Sequence, residues 1–158
     1  MPLHIDIVAV GKLKESYWSA AAAEYLKRLT RFAKVTVREV PDRGLQSTGT
    51  TEQVVVAEGA SIRSVLPADA CVIALDSAGE QLTSPGFADL IAQEQNRGTS
   101  RIAFIVGGSH GLAPDLKREA TRLLSFGNIT LPHNLARIVL LEQLYRAFSI
   151  LNNSPYHK

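Results

Sequence analysis

Four side chains near the end of this sequence combine acid–base capacity with polar reach. They are His133 in TLPHN, Arg137 four residues on, and Tyr156 and His157 in the terminal PYHK. An imidazole takes or gives a proton near neutral pH, a phenol donates a hydrogen bond, and a guanidinium stabilises an anion. Such a set suits removal of a proton from a nucleophile and stabilisation of the charge left behind. Glu142 is a further candidate in the same stretch. Two structural alternatives stand beside this chemistry: His133 could cap the helix that follows it, and the last residues of a chain are often frayed and solvated. His4 reads as a partly buried structural residue and His110 as a solvent-facing turn residue. The four histidines and one cysteine never fall at metal-ligand spacing, so no metal is expected.

A second feature is backbone chemistry. In RIAFIVGGSHGLAPDLKREA, residues 101–120, an apolar run ends in Gly107, Gly108 and Gly111 before a helical pattern begins. Glycines there let main chain come close to a ligand or to a neighbouring segment. GGSHG matches neither the dinucleotide fingerprint nor the phosphate-binding loop with its lysine, so a pyrophosphate ligand is not expected. Close packing between strand and helix is the structural alternative.

These residues need elements to place them. LHIDIVAV (3–10), KVTVREV (34–40), CVIALD (71–76), RIAFIV (101–106) and NITLP (128–132) read as strands. Helical patterns cover 16–32, 51–66, 84–97, 113–124 and 135–153, with Ser84 as the expected N-cap and Pro85 as first helical residue of the third. PDRGLQSTGT (41–50) reads as a mobile loop. Strands alternating with helices, two of them apolar throughout, predict a three-layer α/β sandwich with a mainly parallel sheet. Ligands in such sheets lie at the carboxyl ends of strands, where the glycine turn and Leu75–Asp76 fall.

Composition narrows the class. At 158 residues, 46% hydrophobic and 20% charged, the chain reads as one globular domain, 1–158. A net charge of +2 does not by itself announce a nucleic-acid binder. The lone Cys71 sits in an apolar run and fits a reducing, cytoplasmic setting. The N-terminus does not read as a secretion signal and no run is long enough to cross a bilayer, so no membrane partner is expected.

The pieces ALD…G (74–79), IVGG..G (105–111), TLPH (130–133), EQLYRA (142–147) and PYHK (155–158), in this order, resemble the RlmH family, SPOUT-class methyltransferases that act on N3 of a pseudouridine in 23S ribosomal RNA. The resemblance implies a SPOUT fold with a C-terminal trefoil knot, S-adenosylmethionine as cofactor, ribosomal RNA as substrate (within the assembled ribosome) and a homodimer with active sites between subunits. Carried over position by position, the cofactor contacts fall on Leu75, Gly107 and the loop Phe126, Gly127, Asn128, Ile129, Thr130 and Leu131. Leu75 and Ile129 would sandwich the adenine, and Gly107 would admit it where a Cβ would clash. The resemblance also lends function to Tyr156 and His157, with the tail closing over a cavity. Two other classes compete: a nucleotide-binding oxidoreductase, which needs a fingerprint this chain lacks, and a non-catalytic RNA-binding module of the same fold.

Two surfaces bear on partners. Lys27, Arg28, Arg31, Lys34 and Arg38 cluster without an acid between 27 and 38, with Lys12 and Lys14 nearby. They read either as a solvated face or as RNA phosphate contacts. The last helix is apolar around most of its circumference. That predicts a second subunit over Leu141 and Leu144, or else deep burial within one domain.

Overall fold

The computed structural model describes residues 2–45 and 49–158. Five strands form one parallel sheet: β1 (Leu3–Val10), β2 (Ala33–Val40), β3 (Cys71–Gln81), β4 (Arg101–Val106) and β5 (Arg122–Ser125), in the order β2-β1-β4-β3-β5. Registers such as Ile5↔Val35, Ile7↔Phe104 and Ile73↔Phe104 lock the centre. Helices α1 (Ser16–Leu29), α3 (Ser84–Asn96) and α5 (His133–Leu151) cover one face; α2 (Thr51–Val65) and the short α4 (Pro114–Glu119) cover the other. Strand alternation divides the core accordingly. Leu3, Ile5, Ile7 and Ala9 of β1 face the first set of helices, and Val8 and Val10 face the second.

The expected three-layer α/β architecture with a parallel sheet is therefore present, and the differences are local. Residues 113–124 are not one helix: α4 stops at Glu119 and the chain turns back into β5. Leu123 and Leu124 satisfy a helical and a strand pattern equally, and pairing with β3 decides between them. NITLP, expected as a strand, is loop leading into α5. Thr83, not Ser84, caps α3, its hydroxyl accepting from the Gly86 N–H at 3.0 Å. Strand β3 runs five residues beyond Asp76, through a register shift between Leu75 and Glu80. Gly79 permits this, because a Cβ there would lie 2.6 Å from the Leu124 backbone nitrogen. Of the loop expected over 41–50, Arg43–Leu45 form a 3₁₀ turn, and residues 46–48 lie outside the described residues.

Helix α5 lies between α1 and α3 on the sheet, with Leu140, Leu141, Leu144, Ala147 and Phe148 buried within its own chain. The all-round apolarity of this helix thus has an intrachain explanation. Leu141 and Leu144, expected at a subunit interface, are core residues at 1% and 0% exposure.

Candidate functional site

At the carboxyl edge of the sheet, beside the ends of β4 and β5 and the bend of β3, lies a cavity of about 810 Å³. Three segments distant in sequence build it: Leu75 at the bend of β3, the glycine turn after β4, and the loop from β5 to α5. All eight positions singled out for cofactor, Leu75, Gly107, Phe126, Gly127, Asn128, Ile129, Thr130 and Leu131, line this one cavity, and so does His133.

The loop is held from two sides. The Ser125 hydroxyl, buried, donates to the Gly127 carbonyl and accepts from the Gly127 N–H, both at 3.1 Å. The overrun of β3 supplies Gln81, whose amide donates to Asn128 Oδ1 at 3.1 Å. The sequence assigned no role to Gln81 or Ser125; their roles depend on the register shift and the tight turn at Gly127 (φ +116°). Asp76, also in the wall, pairs with Lys117 of α4 at 3.4 Å.

The reason for glycine at 107 differs from the expected one. A Cβ at Gly107 would lie 2.9 Å from Leu112 Cδ2, and Leu112 is buried. A Cβ at Gly108 would lie 3.0 Å from Val10 Cγ1 and 3.2 Å from a Glu58 carboxylate oxygen. The turn is glycine-rich because it folds tightly on itself and on α2, and the space that a ligand would use opens on its other side. Glu58 is buried, its pKa raised by burial, and its other oxygen accepts from the Arg43 N–H at 3.0 Å. At Gly111 and Gly127, by contrast, a Cβ would meet nothing within 4 Å, so main chain there fronts open space.

The proposed acid–base residues separate into three places. The His133 ring borders the cavity with no hydrogen-bond partner among the described residues. Arg137 does not reach the cavity. It is buried, donates to Glu39 Oε2 at 2.6 Å and to the Gly11 carbonyl at 2.8 Å, and so ties α5 to the ends of β1 and β2. Tyr156 and His157 fold back on α5 instead. The Tyr156 hydroxyl donates to Glu142 Oε2 at 2.8 Å, and Arg146 bridges Glu142 and His157 Nδ1, the latter at 3.1 Å. Tyr145 meets the Tyr156 ring edge-on at 4.7 Å. Burial and the bond to Glu142 push the Tyr156 pKa up to about 12, so the phenol keeps its proton. Burial alone would raise the Glu142 pKa, but Arg146 and Tyr156 outweigh it and the net shift is downward. Residues 142–146 lie about 14–20 Å along the helix from His133, so the tail stands well away from the cavity of its own chain.

The basic cluster is partly consumed by such pairing. Arg28 pairs with Glu24, and Arg38 pairs with the buried Asp6, which also holds Arg101. His4 Nδ1 lies 3.2 Å from Arg101 in that network. Among the described residues no group of three His, Cys, Asp or Glu side chains could hold a metal ion, and no helix is long and apolar enough to cross a membrane.

A parallel α/β sheet with a loop-built cavity at the carboxyl ends of its last strands defines the class, and sequence comparison agrees. Residues 3–157 match the family model described as predicted SPOUT methyltransferase, and the chain belongs to that family. Nearer relatives span its length. Proteins named ribosomal RNA large subunit methyltransferase H from Listeria monocytogenes and Carboxydothermus hydrogenoformans are 46% and 45% identical, each over 99% of this chain and 100% of the relative. Among solved structures, a probable methylase family protein from Haemophilus influenzae shares the fold at a TM-score of 0.55 and 17% identity, over 98% of this chain and 70% of its own.

Proposed function

We propose that this protein methylates 23S ribosomal RNA at N3 of a pseudouridine, with S-adenosylmethionine as donor, acting in the cytoplasm on the assembled ribosome. The observation that carries this reading is the convergence of Leu75, Gly107 and residues 126–131 on one cavity. The cavity suits the cofactor. Its volume is in the range of small-molecule sites; Leu75, Phe126 and Ile129 offer apolar surface for a flat base; and the main chain of Ile129, Thr130 and Leu131, without hydrogen bonds among the described residues, offers donors and acceptors for its polar edge. S-adenosylmethionine, when bound, supplies a methyl group on a sulfonium, a good leaving group.

The rest falls to the chain's own residues. Positioning supplies much of the rate in such a displacement, and the loop pinned by Ser125 and Gln81 provides it. As the N3–methyl bond forms and the carbon–sulfur bond breaks, the N3 proton must leave. His133, at the wall and unpartnered, takes it. His157 has another part. A guanidinium carries no acceptor, so Arg146 must donate to His157 Nδ1, and a neutral ring then carries its proton on Nε2. That nitrogen donates to a base carbonyl and spreads the charge that N3 develops. Arg137 holds the start of α5 in place.

The distance of the tail from its own cavity supports a homodimer in which each tail serves the other subunit's cavity. Leu135, Ile138 and Val139 are only half-buried on α5; a second subunit would cover them. The same reading carries the knotted C-terminal path and a single domain over 1–158. Calorimetry with S-adenosylhomocysteine and with NAD tests the proposal: micromolar binding of the first alone is expected, and binding of NAD alone would overturn it.

A further inference from the structure

We infer that a second cavity, at the carboxyl ends of β1 and β2, is a subsite for the nucleoside next to the methylated one on the RNA strand. The inference rests on the RNA reading above and extends it from one nucleotide to two. The sheet order places the subsite. The cofactor cavity lies over β4, β3 and β5, and the second cavity, about 630 Å³, lies beside it over β1 and β2. His133 borders both. A base presented at His133 therefore has its neighbour on the strand at the mouth of the second cavity.

The wall chemistry selects the occupant. Lys12 and Lys14, in the loop after β1, are exposed and carry no ion pair or hydrogen bond among the described residues, unlike Arg28, Arg38 and Arg137. Glu15, Asp42 and Glu39 also line the cavity, the last already paired with Arg137. A bare phosphate inside would face three carboxylates. A nucleoside meets the mixture instead: ring N–H groups and ribose hydroxyls donate to the carboxylates, and the lysines at the rim reach its phosphates. Just past Glu15, the Tyr17 ring stands 64% exposed and edge-on to Trp18 at 5.1 Å. An exposed aromatic beside unpaired lysines is the arrangement that holds single-stranded RNA by stacking and charge.

The test uses the full chain in three forms: wild type, Pro41→Trp, which fills the cavity from an exposed wall position, and the pair Lys12→Ala with Lys14→Ala. Calorimetry with S-adenosylhomocysteine reads the cofactor cavity, and co-sedimentation with ribosomes reads the RNA subsite without any chemistry. Both variants should bind S-adenosylhomocysteine within twofold of wild type and ribosomes about tenfold more weakly. Ribosome affinity unchanged in Pro41→Trp overturns the subsite, even if the lysine variant weakens, because the cavity would then be empty. A Pro41→Trp protein with full ribosome affinity but a lower methylation rate also overturns it, by placing a subunit tail there instead. Wild type that sediments with ribosomes but ignores S-adenosylhomocysteine would sink the cofactor reading, while the two variants would still decide the subsite.

Discussion

Ile129 is the residue on which cofactor binding can be separated from stability. It is an apolar side chain 80% exposed, at the rim of the cavity, outside both core clusters. Ile129→Ser should leave thermal unfolding within 1 °C or so of wild type, since little buried contact is lost. Covering an isoleucine is worth about 1.5–3 kcal/mol, so affinity for S-adenosylhomocysteine in calorimetry should fall about tenfold or more. The two histidines separate by pH. His133→Ala should slow single-turnover methylation about a hundredfold near neutrality. The deficit should shrink as alkaline pH ionises N3 unaided. His157→Gln keeps an N–H donor and should retain most activity at every pH, whereas His157→Ala should not. A deficit in His133→Ala that does not change with pH would remove it as the base.

At the scale of elements, the overrun of β3 is what gives the cofactor loop a fixed shape, and Gly79 is its weak point. Gly79→Val would drive a branched side chain into the Leu124 backbone. A loss of about 2 kcal/mol in denaturant unfolding is expected, together with weakened cofactor binding, because β5 and the loop after it must shift. The docking of the tail on α5 is a separate device with its own pH dependence. The folded pKa of Glu142 is lowered, so its contribution is present above the ordinary value of 4.5 and is lost as pH falls below it. NMR shifts of the Tyr156 ring should therefore show it docked against Tyr145 at pH 6 and released at pH 3.5. A Glu142→Gln variant should release the ring already at pH 6.

For the whole molecule the critical question is what covers the outer side of α5. Leu141 and Leu144 are enclosed by α1, α3 and the sheet. Leu141→Asp should consequently give unfolded or insoluble protein rather than a folded monomer, since a charge would be placed in the core. The half-buried positions are the ones that report on assembly. Wild type should sediment as a dimer at micromolar concentration, and Val139→Asp should shift it to a folded monomer that still binds S-adenosylhomocysteine. A wild-type monomer under those conditions would remove the two-subunit site.

Much of this was legible in the residues themselves. Apolar runs at 3–10 and 101–106 are strong local signals and both strands form at the expected bounds; the helical spacing of 51–66, weaker because Gly59 interrupts it, is also borne out to within a residue. The positions lining the cavity followed from motif resemblance, because a binding loop keeps its residue types wherever it is placed. Other features depend on contacts distant in sequence. Leu123 and Leu124 are strand only because β3 lies alongside, and β3 overruns only because Gly79 lets it approach β5. The glycines at 107 and 108 answer to Leu112, Val10 and Glu58, none of which is an immediate neighbour in the chain. Arg137, a plausible catalytic cation in sequence, is spent on Glu39, 98 residues away. The apolar girth of α5 was visible in one dimension. Whether neighbouring helices or a second chain would bury it was not, because hydrophobic periodicity records that a face is covered and carries no record of what covers it.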